Sequence, residues 1–258
     1  MRVQCLGTTG YHPSPRRHTA CYYLPQQGLL LDAGTGMFRL VECLLAEPRD
    51  SLDILLSHAH LDHIVGLTFL IDAMAVTPLQ RVRLYGAAEK LNAVREHLFS
   101  KLIFPVDPPL EFMPLPGDSG TMHLADRGIT LEWFPLQHPG GSLGFILSGE
   151  QAGIAKRLAY ITDTTAHRDA PYIARLRQLD LLLHECYFGD WQQELAEKTG
   201  HSCLGAVVDI VRRMRPQRTA LIHINPLSEV LGNGFELLPQ HTQELHMCVA
   251  EDGQLLDL

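Results

Sequence analysis

The segment Ser57-His58-Ala59-His60-Leu61-Asp62-His63 carries the densest set of metal-binding side chains in the sequence. Three imidazoles and a carboxylate within six positions supply four ligands at once. His58 and His60 are two apart, so in extended backbone they point to one side. Asp62 and His63 are adjacent and diverge, which suits two metals better than one. Neutral imidazole together with carboxylate favours zinc, and also accommodates manganese or iron. A solvated loop with incidental histidines is the plain alternative. Against it, HxHxDH placed between a buried strand and a helix is a specific pattern.

Three further candidates lie where apolar runs end. His138 follows TLEWFPLQ, Asp163 follows LAYIT, and His223 closes TALI. A lone histidine at a strand end is most often a loop residue. The order and shared setting of these three, all after the histidine loop, join them to it.

The elements that must position these groups follow from periodicity. Val3–Leu6, Ala20–Leu24, Gly28–Asp32 and Asp53–Leu56 predict short strands separated by turn residues. Helical periods run over Phe38–Leu45, Ile64–Val76 and Ala87–Phe99, the first two stopped by Pro48 and Pro78. The pattern then repeats, with strands at Glu111–Leu115, Thr121–Leu124, Ile129–Pro135, Ser142–Leu147, Leu158–Thr162, Leu179–His184 and Ala220–His223. Helices are expected over Tyr172–Gln178 and Leu204–Met214. Two β-rich halves with helices outside predict an α/β chain of the α+β kind. Its architecture would be a four-layer αβ/βα sandwich rather than a doubly wound sheet. Without a linker or tandem repeat, residues 1–258 are expected to form a single domain.

Composition bounds the function. Apolar residues make up 46% of the 258, enough for a substantial core. Ile64–Val76 is too short to span a bilayer and contains Asp72. MRVQCLGTTG lacks a secretory pattern, and six cysteines without a CxxC pair read as reduced thiols. A cytoplasmic protein with no membrane partner is expected. Net charge of −8 argues against a broad basic surface for long nucleic acids. Arg16-Arg17, and Arg212-Arg213 with Arg215, read as solvated faces. The expected partner is therefore a small-molecule substrate, not a long nucleic acid.

With these residues in place, the chain resembles the metallo-β-lactamase superfamily over nearly its whole length. That resemblance implies the metallo-β-lactamase fold and two divalent metal ions, Zn2+ first, with Mn2+ or Fe2+ as alternatives. It implies that His58, His60 and His138 hold one ion and that Asp62, His63 and His223 hold the other, with Asp163 bridging. Asp rather than Cys at 163 differs from zinc β-lactamases proper, and His60 stands where flavodiiron oxygen reductases carry Glu.

The likeness is nearer to the ribonuclease Z branch. Leu6-Gly7-Thr8-Thr9-Gly10, then Pro15 and Arg17-His18-Thr19-Ala20, are similar to its opening motif. Leu31-Asp32-Ala33-Gly34 resembles its second, in which Asp32 would orient a metal-bound histidine. His184-Glu185-Cys186 and Gly200-His201-Ser202 resemble its two late motifs. They imply a Glu185–His201 pair beside the metals, with the histidine protonating the leaving group. Asp62, Glu185 and His201 are thus the catalytic candidates. The plain reading makes Glu185 a strand-end carboxylate and places His201 ahead of a helix cap at Ser202. A homodimer is implied by the same resemblance.

One departure bears on the substrate. The short interval Pro139–Thr162 lacks the Gly/Pro/Lys-rich arm with which ribonuclease Z grips tRNA. It favours a small or cyclic phosphodiester, as for the cyclic ribose phosphate phosphodiesterase of phosphonate breakdown, a smaller relative. Expected chemistry is attack on phosphorus by a hydroxide shared between metals about 3.5–4 Å apart, with His201 as general acid. Three alternatives stay open: a ribonuclease Z-type endoribonuclease, a thioester or lactone hydrolase, and a non-catalytic metal-dependent sensor. The backbone of Thr8, Thr9 and Gly10 either lines a phosphate pocket or forms a plain tight turn.

Overall fold

A computed structural model describes residues 1–258, the side chain of Glu229 excepted. Its contacts divide the chain into two compact units. One comprises Arg2–Asp118 with Glu251–Asp257, and the other Ser119–Ala250 with the terminal residues Met1 and Leu258.

The first unit contains strands β1 (Arg2–Gly7), β2 (Cys21–Leu24), β3 (Leu29–Leu31), β4 (Ser51–Leu55), β5 (Arg81–Gly86) and β6 (Glu111–Pro114). They stand in sequential order, with the C-terminal strand Leu255–Asp257 outside β1. Neighbours are antiparallel from the C-terminal strand to β3 and parallel from β3 to β6. Parallel neighbours need crossover connections. Helices α1 (Leu40–Ala46), α2 (Leu61–Ile64), α3 (Leu70–Val76) and α4 (Ala88–Ala93) lie within them. Leu40, Leu44 and Leu70 from these helices share a core with Leu30, Ile54 and Leu84 of the sheet. The helical stretches predicted over Phe38–Leu45 and Ile64–Val76 each form a 3-10 turn running into an α-helix.

Those two turns meet at glycines. A Cβ on Gly34 would lie 2.1 Å from the Asp62 carbonyl oxygen, and one on Gly66 would lie 2.2 Å from that of Gly34. The backbone contact therefore positions the histidine loop directly. Gly66→Ala is expected to destabilise the protein by about 1–3 kcal/mol through overpacking. A lowered urea midpoint would show it, whereas an unchanged midpoint would mean that the backbone has room.

The second unit carries β7 (Gly120–Leu124), β8 (Ile129–Leu136), β9 (Ser142–Gln151), β10 (Ile154–Ile161), β11 (Leu181–Glu185), β12 (Arg218–Ile222) and β13 (Met247–Val249). They are again in sequential order, antiparallel up to β10 and parallel from β10 to β13. Helices α5 (Gln193–Thr199) and α6 (Leu204–Met214) join β11 to β12, and α7 (Pro226–Leu231) and α8 (Pro239–Gln243) join β12 to β13. Leu204, Val207, Val208 and Val211 recur at helical spacing on α6 and are buried. They pack with Ile161, Leu182 and Leu221 of the sheet.

Some elements differ from expectation. The helix over Tyr172–Gln178 is only a 3-10 turn at Pro171–Arg175. Pro171 starts it, Leu176 leaves helical geometry at ψ 48°, and Gln178 adopts φ 53°. Strands β5, β13 and Leu255–Asp257 have no sequence prediction behind them. In β5, Arg83 forms two hydrogen bonds, 2.7 and 2.9 Å, to the fully buried Asp53 of β4. None of the six cysteines is in a disulfide, and no described helix is long and apolar enough to cross a membrane.

The candidate residues gather at the C-terminal ends of strands. Asp32 follows β3, Ser57–His63 follow β4, and His138 follows β8. Asp163 follows β10, Glu185 ends β11 and His223 follows β12. Such strand ends are where α/β sheets place ligands.

Candidate metal centre

In the first unit, Asp32 organises the histidine loop. Its backbone is left-handed, at φ 56°, and its side chain is fully buried. The carboxylate accepts hydrogen bonds from the Ser57 N–H, the Ser57 hydroxyl and His63 Nδ1, each at 2.7 Å. A proton held on Nδ1 leaves the lone pair of a neutral His63 on Nε2. That atom lies 3.5 Å from Asp62 Oδ2. Two electron-rich atoms turned towards each other in a buried setting call for a cation between them. The His58 ring centre is 4.4 Å from that of His60 and 4.3 Å from that of His63, so the loop's three imidazoles cluster. Asp32→Asn is expected to weaken metal affinity about 10–100-fold by releasing His63. Competition with a chromophoric chelator measures this, and equal affinities would remove Asp32 from the centre.

Asp62 also accepts a 2.7 Å hydrogen bond from the Tyr11 N–H. The segment before Tyr11 makes bonds within its own unit. The Thr9 N–H donates to His18 oxygen, while the Thr8 hydroxyl donates to Asp252 and accepts from the buried Arg17.

In the second unit, Asp163 is the hub. It is buried, and its backbone is held at φ 39°, a region that costs a non-glycine residue energy and so flags functional constraint. Its Oδ2 lies 3.5 Å from His138 Nε2, and its Oδ1 lies 3.2 Å from His223 Nε2. His138 Nδ1 donates to the Gly200 carbonyl oxygen at 2.9 Å, which puts the lone pair of the neutral ring on Nε2. Each carboxylate oxygen thus faces a different imidazole, the disposition of a ligand that bridges two ions. His223 also sits at positive φ, 53°. Ligand atoms of Asp163, His201 and His223 lie within 4.8 Å of one another. The imidazoles of His138 and His223 with the Asp163 carboxylate form a donor set that fits borderline divalent ions.

Beside it stands the carboxylate–imidazole pair. Glu185 is fully buried and accepts from the Thr164 N–H at 2.8 Å, the Ser202 N–H at 3.2 Å and His201 Nδ1 at 3.1 Å. Ser202 does not cap α6; its hydroxyl donates to the Thr164 oxygen at 2.6 Å and accepts from the Ala166 N–H. His201 stacks on Tyr187 at 4.6 Å and on His223 at 5.3 Å. Sequence reasoning missed Tyr187, whose only signal is its place two residues beyond Glu185. It also missed the supporting roles of Ser57 and the Gly200 carbonyl.

The neighbouring His184 and Cys186 have other duties. His184 Nδ1 donates to the Glu185 backbone oxygen and its Nε2 accepts from the Tyr172 hydroxyl. Burial pushes its pKa down and keeps the ring neutral. Burial pushes the Cys186 thiol well up and the Cys203 thiol to about 11, so both stay protonated and unreactive.

The family model described as a β-lactamase superfamily domain matches residues 28–224. Ribonuclease Z of Metallosphaera sedula is 28% identical over 310 aligned positions covering 100% of this chain and 99% of that relative. The crystal structure of the metallo-β-lactamase fold protein YhfI from Bacillus subtilis superimposes with a TM-score of 0.74 at 20% identity, covering 99% of each chain. Short-form human tRNase Z gives 0.72 at 20% identity, covering 100% of this chain and 99% of that one.

These relatives correct one expectation. Proteins that align along the whole chain are named for cutting RNA, so the exclusion of long nucleic acids does not stand. The net charge of −8 is a sum over the molecule and does not report where its arginines cluster. The fold implies divalent metal ions, as the donor sets of both units do. With its family model matched across most of its length, the chain belongs to the β-lactamase superfamily domain family and is a hydrolase of the metallo-β-lactamase fold.

Proposed function

We propose that this hydrolase is a metal-dependent phosphodiesterase. His58, His60, Asp62 and His63, together with His138, Asp163 and His223, would hold its two divalent ions. Bound there, the ions would supply a hydroxide at neutral pH and neutralise charge on the phosphoryl oxygens. The chain's own residues do the rest. Asp32 fixes the tautomer of His63, and the Gly200 carbonyl fixes that of His138. Asp163 presents one oxygen to each of two imidazoles. Glu185 holds Nδ1 of His201, leaving Nε2 to deliver a proton to the departing oxygen.

The Glu185–His201 pair carries the reading. An alkoxide leaving a phosphodiester is a strong base and needs a proton, whereas the thiolate leaving a thioester does not. A small or cyclic diester is the first substrate reading, because β9 and β10 fill the interval after His138 with a tight hairpin, pairing Gln151 with Ile154. RNA is the second, supported by whole-length relatives named ribonuclease Z. The test is turnover by zinc- and manganese-loaded protein of bis-p-nitrophenyl phosphate, a cyclic nucleotide, an oligoribonucleotide and a thioester. Hydrolysis of diesters above the thioester is expected. Turnover of the thioester alone would overturn the proposal.

A further inference from the structure

Outside the catalytic residues, the second unit has an arginine-lined groove that the proposed mechanism leaves unused. Arg168, Arg212 and Arg213 border a depression of about 380 Å³, with Ile173 and Ile210 among its lining residues and Asp209 as its one carboxylate. A second depression of about 340 Å³ shares Ile173 and Arg213 and adds Arg177. All four arginines are exposed, whereas both isoleucines are 2% exposed and form a floor.

The charge here is poorly compensated. Arg212 reaches Asp209 at 3.6 Å, but both side chains are about half exposed or more, so water screens the pair. Arg213 Nη1 donates to the Arg168 backbone oxygen at 3.0 Å, which fixes the Arg213 head beside the loop without neutralising it. Nearby Arg157 and Arg175 differ, since both are paired with Glu132. Asp169, next in the chain to Arg168, does not line the groove. Four guanidinium groups against one lining carboxylate stand out on a chain of net charge −8.

One end of the groove, at Arg168, is tied to the candidate centre within the same unit, while Arg177 and Arg213 precede the N-terminal ends of β11 and β12. Arg168 is five residues beyond Asp163, which limits the separation along the chain to about 18 Å. The loop joining them passes Thr164 and Ala166, which are bonded to Glu185 and Ser202.

We propose that this groove binds single-stranded RNA flanking the scissile phosphodiester. The inference rests on the RNA reading of the proposed function and extends it to a named docking surface. Guanidinium groups pair with phosphates and stack on base faces. An acidic peptide would use the charge but offers no base faces for the guanidinium planes.

The probe is a fluorescein-labelled single-stranded oligoribonucleotide, titrated over a range of salt concentrations against the wild type and the combined variant Arg168→Ala, Arg212→Ala, Arg213→Ala. The variant should bind at least about tenfold more weakly, and the slope of log affinity against log salt should shrink by about 2, from three lost phosphate contacts. Its turnover of bis-p-nitrophenyl phosphate should equal that of the wild type. Identical RNA affinity and salt slope in the two proteins would overturn the groove, as would wild-type binding to phosphatidylserine vesicles or polyglutamate in preference to RNA. Loss of RNA binding by the variant, in a protein that hydrolyses no diester, would refute the phosphodiesterase reading and leave the docking surface standing.

Discussion

Asp163→Ala is expected to abolish turnover of every substrate and to lower bound metal at the same time. The carboxylate faces His138 Nε2 with one oxygen and His223 Nε2 with the other, so its removal takes a ligand from both proposed ion positions. Thr162 donates to the same group at 2.6 Å, and the backbone is held at φ 39°, which shows how tightly the position is specified. Asp163→Asn separates charge from shape, because it keeps an oxygen on one side and places an amide on the other. Metal analysis of the purified variants, read beside their turnover, decides the matter. An alanine variant with full metal content and normal rates would exclude Asp163 as the bridging ligand.

His201→Ala should behave differently. Metal content and fold should persist, while turnover of alkyl phosphodiesters falls roughly 10²–10⁴-fold through loss of the general acid. With p-nitrophenolate as leaving group the deficit should shrink, since that anion hardly needs a proton. Glu185→Gln should follow the same pattern, because its single carbonyl oxygen can still accept from the Thr164 N–H and His201 Nδ1, while its amide NH2 faces the Ser202 N–H and no charge is left to hold His201. Equal losses on good and poor leaving groups would assign His201 a positioning role and send the search for the acid elsewhere.

How much of this was legible in the sequence depends on how local the signal is. Strands such as β4 and β12 are short apolar runs that end abruptly in polar residues, so both their existence and the groups at their ends could be read. Helix α6 was found with its observed ends because its apolar stripe is regular. Strand β5 was not, since its alternation is blurred by Arg83, whose partner Asp53 lies on a different strand. The turn at Pro171–Arg175 shows the opposite failure, a helical composition cut short by backbone geometry at Leu176 and Gln178.

The candidate site divides along the same line. Titratable residues announce themselves by type and spacing. The groups that aim them do so through long-range contacts with no sequence mark: Ser57 between Asp32 and His58, the Gly200 carbonyl on His138, and Tyr187 against His201. The expectation about nucleic acid rested on net charge and on reading Arg212-Arg213 as a solvated face. Arg168, Arg177, Arg212 and Arg213 come from separate stretches of the chain, and only the fold gathers them into adjoining depressions.

On the proposed function, seven side chains hold two ions that serve phosphodiester hydrolysis. The decisive experiment is titration of metal-free protein with zinc, following bis-p-nitrophenyl phosphate hydrolysis and bound metal together. Activity should rise to a plateau at about two ions per chain, the stoichiometry of a two-metal site. Saturation at one ion with full activity, or full hydrolysis by the metal-free protein, would contradict it.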